Sequence, residues 1–452
     1  MPTTTHHFAR AWLEGAWRRD VRMTVGDGRI AALTIAPPAP DDQRHAIALP
    51  GLPNLHSHAF QRGMAGLAET RGASDDSFWT WREVMYRFVA RLTPTDMQAI
   101  AAMAYAEMLE TGFTRAGEFH YLHHGADGAA YANPAEMAAA IAAAAEETGI
   151  ALTLLPVFYA HAGFGGTAPG EGQRRFINDI DSYARLHAAA AEAIAPLPDA
   201  VIGIAPHSLR AVTPGELDAL LALAPTGPVH IHIAEQRAEV EACLAWSGER
   251  PVEWLLAHAP VDARWCLVHA THMTAAETQA LAASGAVAGL CPITEANLGD
   301  GLFPAVDYLA AGGRWGVGSD SNVLIDAAEE LRWLEYGQRL ITRGRNVLAA
   351  AAGARTGAAL LAGALAGGAQ ALGAGGAWAV GAAADFVTLD AGHPALVACP
   401  DAALADGWIF SAGRGAIDGV WRRGRQVVAG GRHMHRTAIV DRYAQVVHRL
   451  IA

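Results

Sequence analysis

Between residues 49 and 345, short apolar and β-branched runs alternate with Ala-, Leu- and Glu-rich stretches of helical character. That alternation builds βαβ units around a parallel sheet. It predicts strands over 47–58, 113–122, 150–162, 200–210, 228–236, 264–272, 286–298 and 314–322. Several helices announce their ends. Thr93-Pro94 opens one and Gly112 closes it, Thr213-Pro214 opens another, and Thr274 with Glu277 forms a capping box closed by Gly285. Eight strand–helix repeats are the count for a (β/α)8 TIM barrel, and no shorter period suggests a solenoid.

The flanks carry a different pattern. Residues 1–48 hold short strands (AWLEGAWRR, VRMTVGDGRIAALTIAP) with Asp27-Gly28 as a hairpin turn, and ADFVTLD with IDGVWRRGRQVVAGGR repeats the pattern near the C-terminus. Neither flank has strands enough for a stable sheet alone. The expected organisation is a small discontinuous β-sandwich from 1–48 and 377–435, a barrel over 49–376 and a terminal helix over 436–452. The Gly/Ala-rich stretch 361–377 reads as a return linker, and 59–92 as a long loop.

With 52% hydrophobic and 17% charged residues among 452, the chain can bury a large core and is not a disordered protein. A net charge of −12 argues against nucleic-acid or anionic-membrane partners, which need a basic field. The first twenty residues lack the apolar stretch of a secretory signal, and no run is long enough to span a bilayer, so a cytoplasmic location is expected. Cys243, Cys266, Cys291 and Cys399 show no paired spacing and read as small buried hydrophobes. All 33 basic Lys/Arg positions are arginine. The chain contains no lysine.

In a TIM barrel the chemistry lies at the C-terminal strand ends. His56 and His58 close the first strand two residues apart, so both face the same side. Alone, HxH is weak evidence, and His6-His7 and His123-His124 read as coincidental pairs. Other strands end alike: the fifth in His230, His232 and Glu235, the sixth in His269 and His272, the eighth in Asp320. Imidazoles plus a carboxylate suit Zn²⁺ or a neighbouring divalent ion, with a position left for water. Some of these side chains suit quieter roles. His230 lies deeper, in the core or behind the ligands, His272 could cap the next helix, Glu235 could be an exposed helix-start carboxylate, and Asp320 could close an Asx turn.

The strings LPGLPNLHSHAFQR, HIHIAEQ, LVHATH and GVGSDSN resemble the amidohydrolase superfamily, in its branch of amidine and aminopurine deaminases. The resemblance covers essentially the whole chain. It implies that His56, His58, His232 and Asp320 bind one metal, while Glu235 and His269 act on the substrate with Asp320. Binuclear relatives bridge two metals with a carboxylated lysine, which this chain cannot supply, so one ion per chain is expected. Zn²⁺ is the first choice, with Fe²⁺ or Mn²⁺ as alternatives. A bound Zn²⁺ lowers the pKa of its water from 15.7 towards ~7. Hydroxide then attacks an sp² carbon bearing nitrogen, Glu235 carries the proton to that nitrogen, and ammonia leaves.

Longer strings, among them DSFWTWREVMYRF, GEFHYLHH, APHSLRAV, GLCPITEANLGDGLF and SDSNVLIDAAEELRWLEYGQR, resemble the formimidoylglutamate deiminase family. That implies a small dicarboxylate substrate, N-formimino-L-glutamate. Its carboxylates call for bidentate arginine, and Arg210 is the first candidate, with His207 beside it and Gln61, Arg82 and Tyr121 following. Arg82 equally suits a surface or subunit interface of a homodimer. Trp79 and Trp81 are expected to pack the 59–92 loop as a lid or interface rather than touch substrate. Three other readings stay open: a guanine- or adenosine-type deaminase, which stacking aromatics would favour; an amide or chloride hydrolase; and a non-catalytic interaction barrel.

Overall fold

The structure, a computed structural model, describes residues 3–71, 78–349 and 351–451; the side chains of residues 78 and 79, and with them the packing expected of Trp79, lie outside the described residues. Four strands precede the alternating region: β1 (Thr4–Leu13), β2 (Ala16–Gly26), β3 (Arg29–Ile35) and β4 (Gln43–Pro50). Within it lie β5 (Leu52–Ser57), β6 (Phe113–His120), β7 (Ala151–Phe158), β8 (Val201–Ile202), β9 (Ala205–Pro206), β10 (Val229–Ile233), β11 (Trp265–His269), β12 (Val287–Leu290) and β13 (Arg314–Val317). After it come β14 (Phe386–Leu389), β15 (Ile417–Arg422), β16 (Arg425–Ala429) and β17 (Arg432–His433).

The two flanks meet in one eight-stranded sheet of order β17-β16-β15-β14-β4-β1-β2-β3. β4 joins them, pairing parallel with β1 on one edge and antiparallel with β14 on the other. Asp27 and Gly28 take φ of 51° and 78°, the left-handed pair that a tight hairpin turn requires. A second such turn, Glu14-Gly15 (φ 52° and 75°), interrupts the strand expected over AWLEGAWRR. Phe8, Val21, Met23, Phe386 and Trp421 share a separate apolar core on this sheet.

The alternating region is a mixed α/β body with parallel strands. β6 and β7 are buried along their whole length, as strands covered on both faces must be. The named strands form two parallel sheets, β5-β6-β7-β8 with β9 on β7, and β10-β11-β12-β13, rather than the one continuous ring that was expected. The reason is local. The fourth expected strand is broken into β8 and β9, and the eighth stops at Val317, before the left-handed Asp320. Isolated parallel bridges cross both gaps: Ile204 to Val229 and Ser208 to His232 at one, Ser57 to Asp320 at the other.

The anticipated helix caps are in place on Thr93 with Asp96, Thr213 with Glu216 and Thr274 with Glu277. Two stretches differ from expectation. The 59–92 segment holds a 3-10 turn (Ala59–Met64) and an α-helix (Phe78–Val89). The expected linker 361–377 is mostly the helix Thr356–Ala371. A Cβ on its Gly367 would lie 1.8 Å from the Trp315 carbonyl oxygen, so the glycine that lowers helix propensity is what lets the helix reach the sheet. The helix Arg436–Ile451 ends the chain's described part. Cys243, Cys266 and Cys291 are buried as expected, while Cys399 is half-exposed; all four are free thiols. Among the described residues, no helix is long and apolar enough to cross a membrane.

Candidate active site

Four ligand-bearing side chains, His56, His58, His232 and Asp320, converge from the ends of β5, β10 and β13, with their donor atoms within 4.8 Å of one another. His56 Nε2 lies 3.2 Å from His58 Nε2 and 3.0 Å from His232 Nε2, and Asp320 Oδ1 lies 3.4 Å and 3.2 Å from His56 and His58. The far side of two rings explains this crowding. His58 Nδ1 is 2.9 Å from the Phe119 carbonyl and His232 Nδ1 is 3.1 Å from the His207 carbonyl. A carbonyl only accepts, so Nδ1 carries the hydrogen and Nε2 keeps its lone pair. Lone pairs gathered this closely, with a carboxylate beside them, fit one divalent cation.

Electrostatics agree with that use. Burial pushes His56 down to about 3, and burial with the neighbouring imidazoles pushes His232 well below its ordinary value. Both stay neutral, as ligands must. Burial would raise Asp320, but the closely packed imidazoles of His56 and His58 outweigh it and hold its carboxyl well below the usual carboxylate range.

Gly318 lets the chain after β13 approach β5. A Cβ there would meet the His56 backbone oxygen at 2.6 Å and nitrogen at 2.7 Å. Beyond it Asp320 turns left-handed (φ 44°), as do Ala234 before Glu235 (49°), His269 (67°) and Ala270 (48°). Such conformations in non-glycine residues gather where a site is forced into shape. The Asx-turn role considered for Asp320 is not how its side chain is used.

His269 Nε2 lies 3.9 Å from Glu235 and 3.7 Å from Asp320, and its Nδ1 lies 3.3 Å from Glu295. Burial opposes charge on His269, but Glu235, Glu295 and Asp320 outweigh it and raise the imidazole well above its ordinary value. Glu235 is raised in turn, by burial and by Asp320, with His269 and Arg210 opposing. A positive imidazole therefore stands beside a carboxyl able to gain and lose a proton near neutrality.

A cavity opens over this cluster, and His58, His232, Glu235, His269 and Asp320 reach it, as do all five other candidates: Gln61, Arg82, Tyr121, His207 and Arg210. Gln61 Nε2 donates to Tyr121 Oη at 3.0 Å. His56 packs behind, fully buried. His230 also stays out, its Nε2 2.7 Å from the Ala371 carbonyl at the opposite end of the strands. His272 does not cap the helix that follows, since Thr274 does.

Several wall residues were not foreseen. Trp81 lines the cavity on the Phe78–Val89 helix instead of merely packing a loop, and so do Met85, Tyr86, Tyr159 and Phe176. The wall is thus more aromatic than the sequence suggested, with Tyr121 edge-on to Phe176 at 5.0 Å. Glu295, behind His269, and Asp300, hydrogen-bonded by Gln236, were also missed. Both lie in GLCPITEANLGDGLF, which overlaps the seventh expected strand (286–298); that strand ends at Leu290, and Glu295 stands on the helix Pro292–Leu298 that replaces the rest of it.

Residues 47–427 match the amidohydrolase family, and residues 3–46 match the N-terminal domain of formimidoylglutamate deiminase HutF. The chain is 52% identical over 450 residues, 98% of each protein, to a formimidoylglutamate deiminase of Pseudomonas aeruginosa. It is 30% identical to an 8-oxoguanine deaminase of the same organism, over 71% of this chain and 73% of that one. Among solved structures, an amidohydrolase from Brucella melitensis superposes with a TM-score of 0.96 at 53% identity, covering 99% of this chain and 100% of that one. A zinc-bound adenosine deaminase from Xanthomonas campestris shares the fold, with a TM-score of 0.80 at 23% identity over 99% and 98% of the two chains.

Proposed function

The chain belongs to the amidohydrolase family, and from that premise we propose that it is a formimidoylglutamate deiminase of histidine degradation, hydrolysing N-formimino-L-glutamate to N-formyl-L-glutamate and ammonia. One observation carries the reading: a single cavity opens onto His58, His232 and Asp320 of the His/His/His/Asp cluster and onto Glu235, and Arg82 and Arg210 stand in its wall. A metal hydrolase needs only the cluster and Glu235. The two guanidinium groups suit a dianion.

In this reading His56, His58, His232 and Asp320 hold one zinc ion. When bound, the metal supplies Lewis acidity and lowers the pKa of water towards ~7. Arg210 and Arg82 grip the substrate carboxylates, and Gln61, Tyr121 and His207 orient the chain between them and the formimino group. Glu235 accepts a proton from the attacking water and delivers it to the imino nitrogen, then carries the hydroxyl proton of the resulting tetrahedral adduct to the same nitrogen, which leaves as ammonia as the formyl C=O forms. His269, held positive by Glu235, Glu295 and Asp320, donates a hydrogen bond to the oxygen that develops charge at the former imino carbon. Trp81, Met85 and Tyr86 close the wall against bulk water.

The proposal extends to the whole molecule. Its two parallel sheets are read as a (β/α)8 barrel joined at the bridged gaps, over residues 49–376. Residues 1–48 and 377–435 form the small discontinuous β-domain, and 436–452 the terminal helix. Four free thiols support a reducing, cytoplasmic location. Leu340 and Ile341, 73% and 57% exposed on the helix Ala327–Thr342, support a homodimer.

The aromatic wall gives the ring-deaminase alternative a foothold, but Tyr121 and Phe176 meet edge to face instead of leaving a slot between parallel rings. Product analysis tests the reading. Equal amounts of ammonia and N-formyl-L-glutamate are expected; glutamate with formamide would mean that the other C–N bond is cut and would contradict it.

A further inference from the structure

We propose that Glu239 is a positioning residue with two neighbours to serve: its carboxylate braces the turn that aims Glu235, and its charge sets the field at Arg210. The inference rests on the roles just given to those two residues.

Glu239 is the third residue of the helix Arg237–Ser247, whose preceding residue, Gln236, offers no side-chain cap. Its side chain reaches back past the helix start. Oε1 accepts the Ala234 N–H and Oε2 the Glu235 N–H, each at 3.2 Å, and the residue is only 2% exposed. Ala234 is the left-handed residue of that turn (φ 49°). Two amides on one buried carboxylate offset the cost of that conformation, and they fix the backbone from which the Glu235 side chain departs.

Glu239 also lines a second, outer cavity, together with Arg82 and Arg210. Both guanidinium groups thus stand between the inner cavity and this outer one. Burial works against the charge of Arg210, and Glu239 is the foremost of the groups that more than restore it. In a region sheltered from water, a carboxylate beside a guanidinium weakens the pull of that guanidinium on a further anion. Glu239 therefore trades some affinity for the dianion against a settled position of Glu235.

Two substitutions separate the tasks. E239Q keeps the size, loses the charge and can accept only one of the two amides; E239D keeps the charge but is one methylene too short to brace the turn. For E239Q the expectation is kcat about tenfold to a hundredfold lower, within the range of a misplaced proton carrier, with N-formyl-L-glutamate binding at least about threefold tighter by calorimetry. For E239D, kcat falls similarly while that affinity stays near wild type. Both raise hydrogen exchange at the Ala234 and Glu235 amides. Unchanged exchange with unchanged kcat and affinity in E239Q overturns the proposal, and so does a loss of kcat that merely follows a loss of folded, metal-loaded chain. E239D decides the matter if E239Q does not fold. A wild-type chain inactive on N-formimino-L-glutamate overturns the substrate reading instead, and amide exchange still decides whether Glu239 braces the turn.

Discussion

Asp320 holds a left-handed backbone because its surroundings leave it no alternative. Asn54 donates to Ser319 at 2.6 Å, Ser319 to Asn322 at 2.6 Å, and Asn322 to the His58 carbonyl at 3.0 Å, so β5 and the end of β13 share one network. Gly318 sits where that network is tightest. Gly318→Ala would push a methyl into the His56 backbone, and the expected result is a chain that folds but binds less than half an equivalent of metal by elemental analysis; full occupancy would contradict the geometry. Glu235→Gln leaves the four ligands untouched and should lower kcat on the order of 10²–10⁴-fold at unchanged metal content. At this scale the sequence was most informative about the metal-compatible cluster: strand-end position marks His56, His58, His232 and Asp320 as candidates, and the family resemblance selects them over His230, His269 and His272. Glu295 was hidden inside the stretch expected to be the seventh strand, and Glu239 because a carboxylate early in a helix looks the same whether it faces water or braces a turn.

Among the elements, the Phe78–Val89 helix supplies Trp81, Arg82, Met85 and Tyr86 to the cavity wall. Buried Arg175 ties it down. Its guanidinium donates to the Val89 carbonyl, to Leu92 O at 2.8 Å and to His124 O at 2.8 Å, joining the helix end to the loop after β6. Arg175→Gln should therefore raise KM about tenfold, some 1.4 kcal/mol of lost substrate binding, with kcat within about twofold of wild type. A fall in kcat at constant KM would place Arg175 elsewhere in the mechanism. Periodicity located the strand starts and the capped helices well, but of the seventh expected strand, 286–298, only Val287–Leu290 is strand and Pro292–Leu298 is helix, opened by its Pro292. It misjudged Thr356–Ala371, whose glycines read as a linker until Trp315 and Pro53 are seen packed against Gly367 and Gly368. It also took 59–92 for a loop and so missed the Phe78–Val89 helix, although its apolar residues recur at helical spacing.

For the molecule as a whole, burial separates two stability regimes. His6 and His45, hydrogen-bonded to each other at 3.1 Å in the flanking sheet, are pushed down to about 4 by burial, as is His230 beneath the strands. Their folded pKa values lie below the unfolded 6.5, so the unfolded chain takes up protons first as pH falls. The stability they contribute is present above 6.5 and is lost as pH drops towards 4. Thermal denaturation should show Tm falling over that window, and falling less steeply in His6→Phe; a flat profile would contradict the burial argument. The parallel α/β body and the joining of two distant flanks were legible from alternation and strand count. Continuity of the strand ring was not, because the two gaps depend on Asp320 and the β8–β9 break, where local chain geometry overrides strand pattern. The central claim is a one-metal deiminase for a small dianion. Its most direct test is ammonia release from N-formimino-L-glutamate, guanine and adenosine in parallel by chain carrying one equivalent of metal. Turnover of the first alone, lost on chelation and restored by one equivalent, is predicted; turnover of a purine without turnover of N-formimino-L-glutamate would contradict the account.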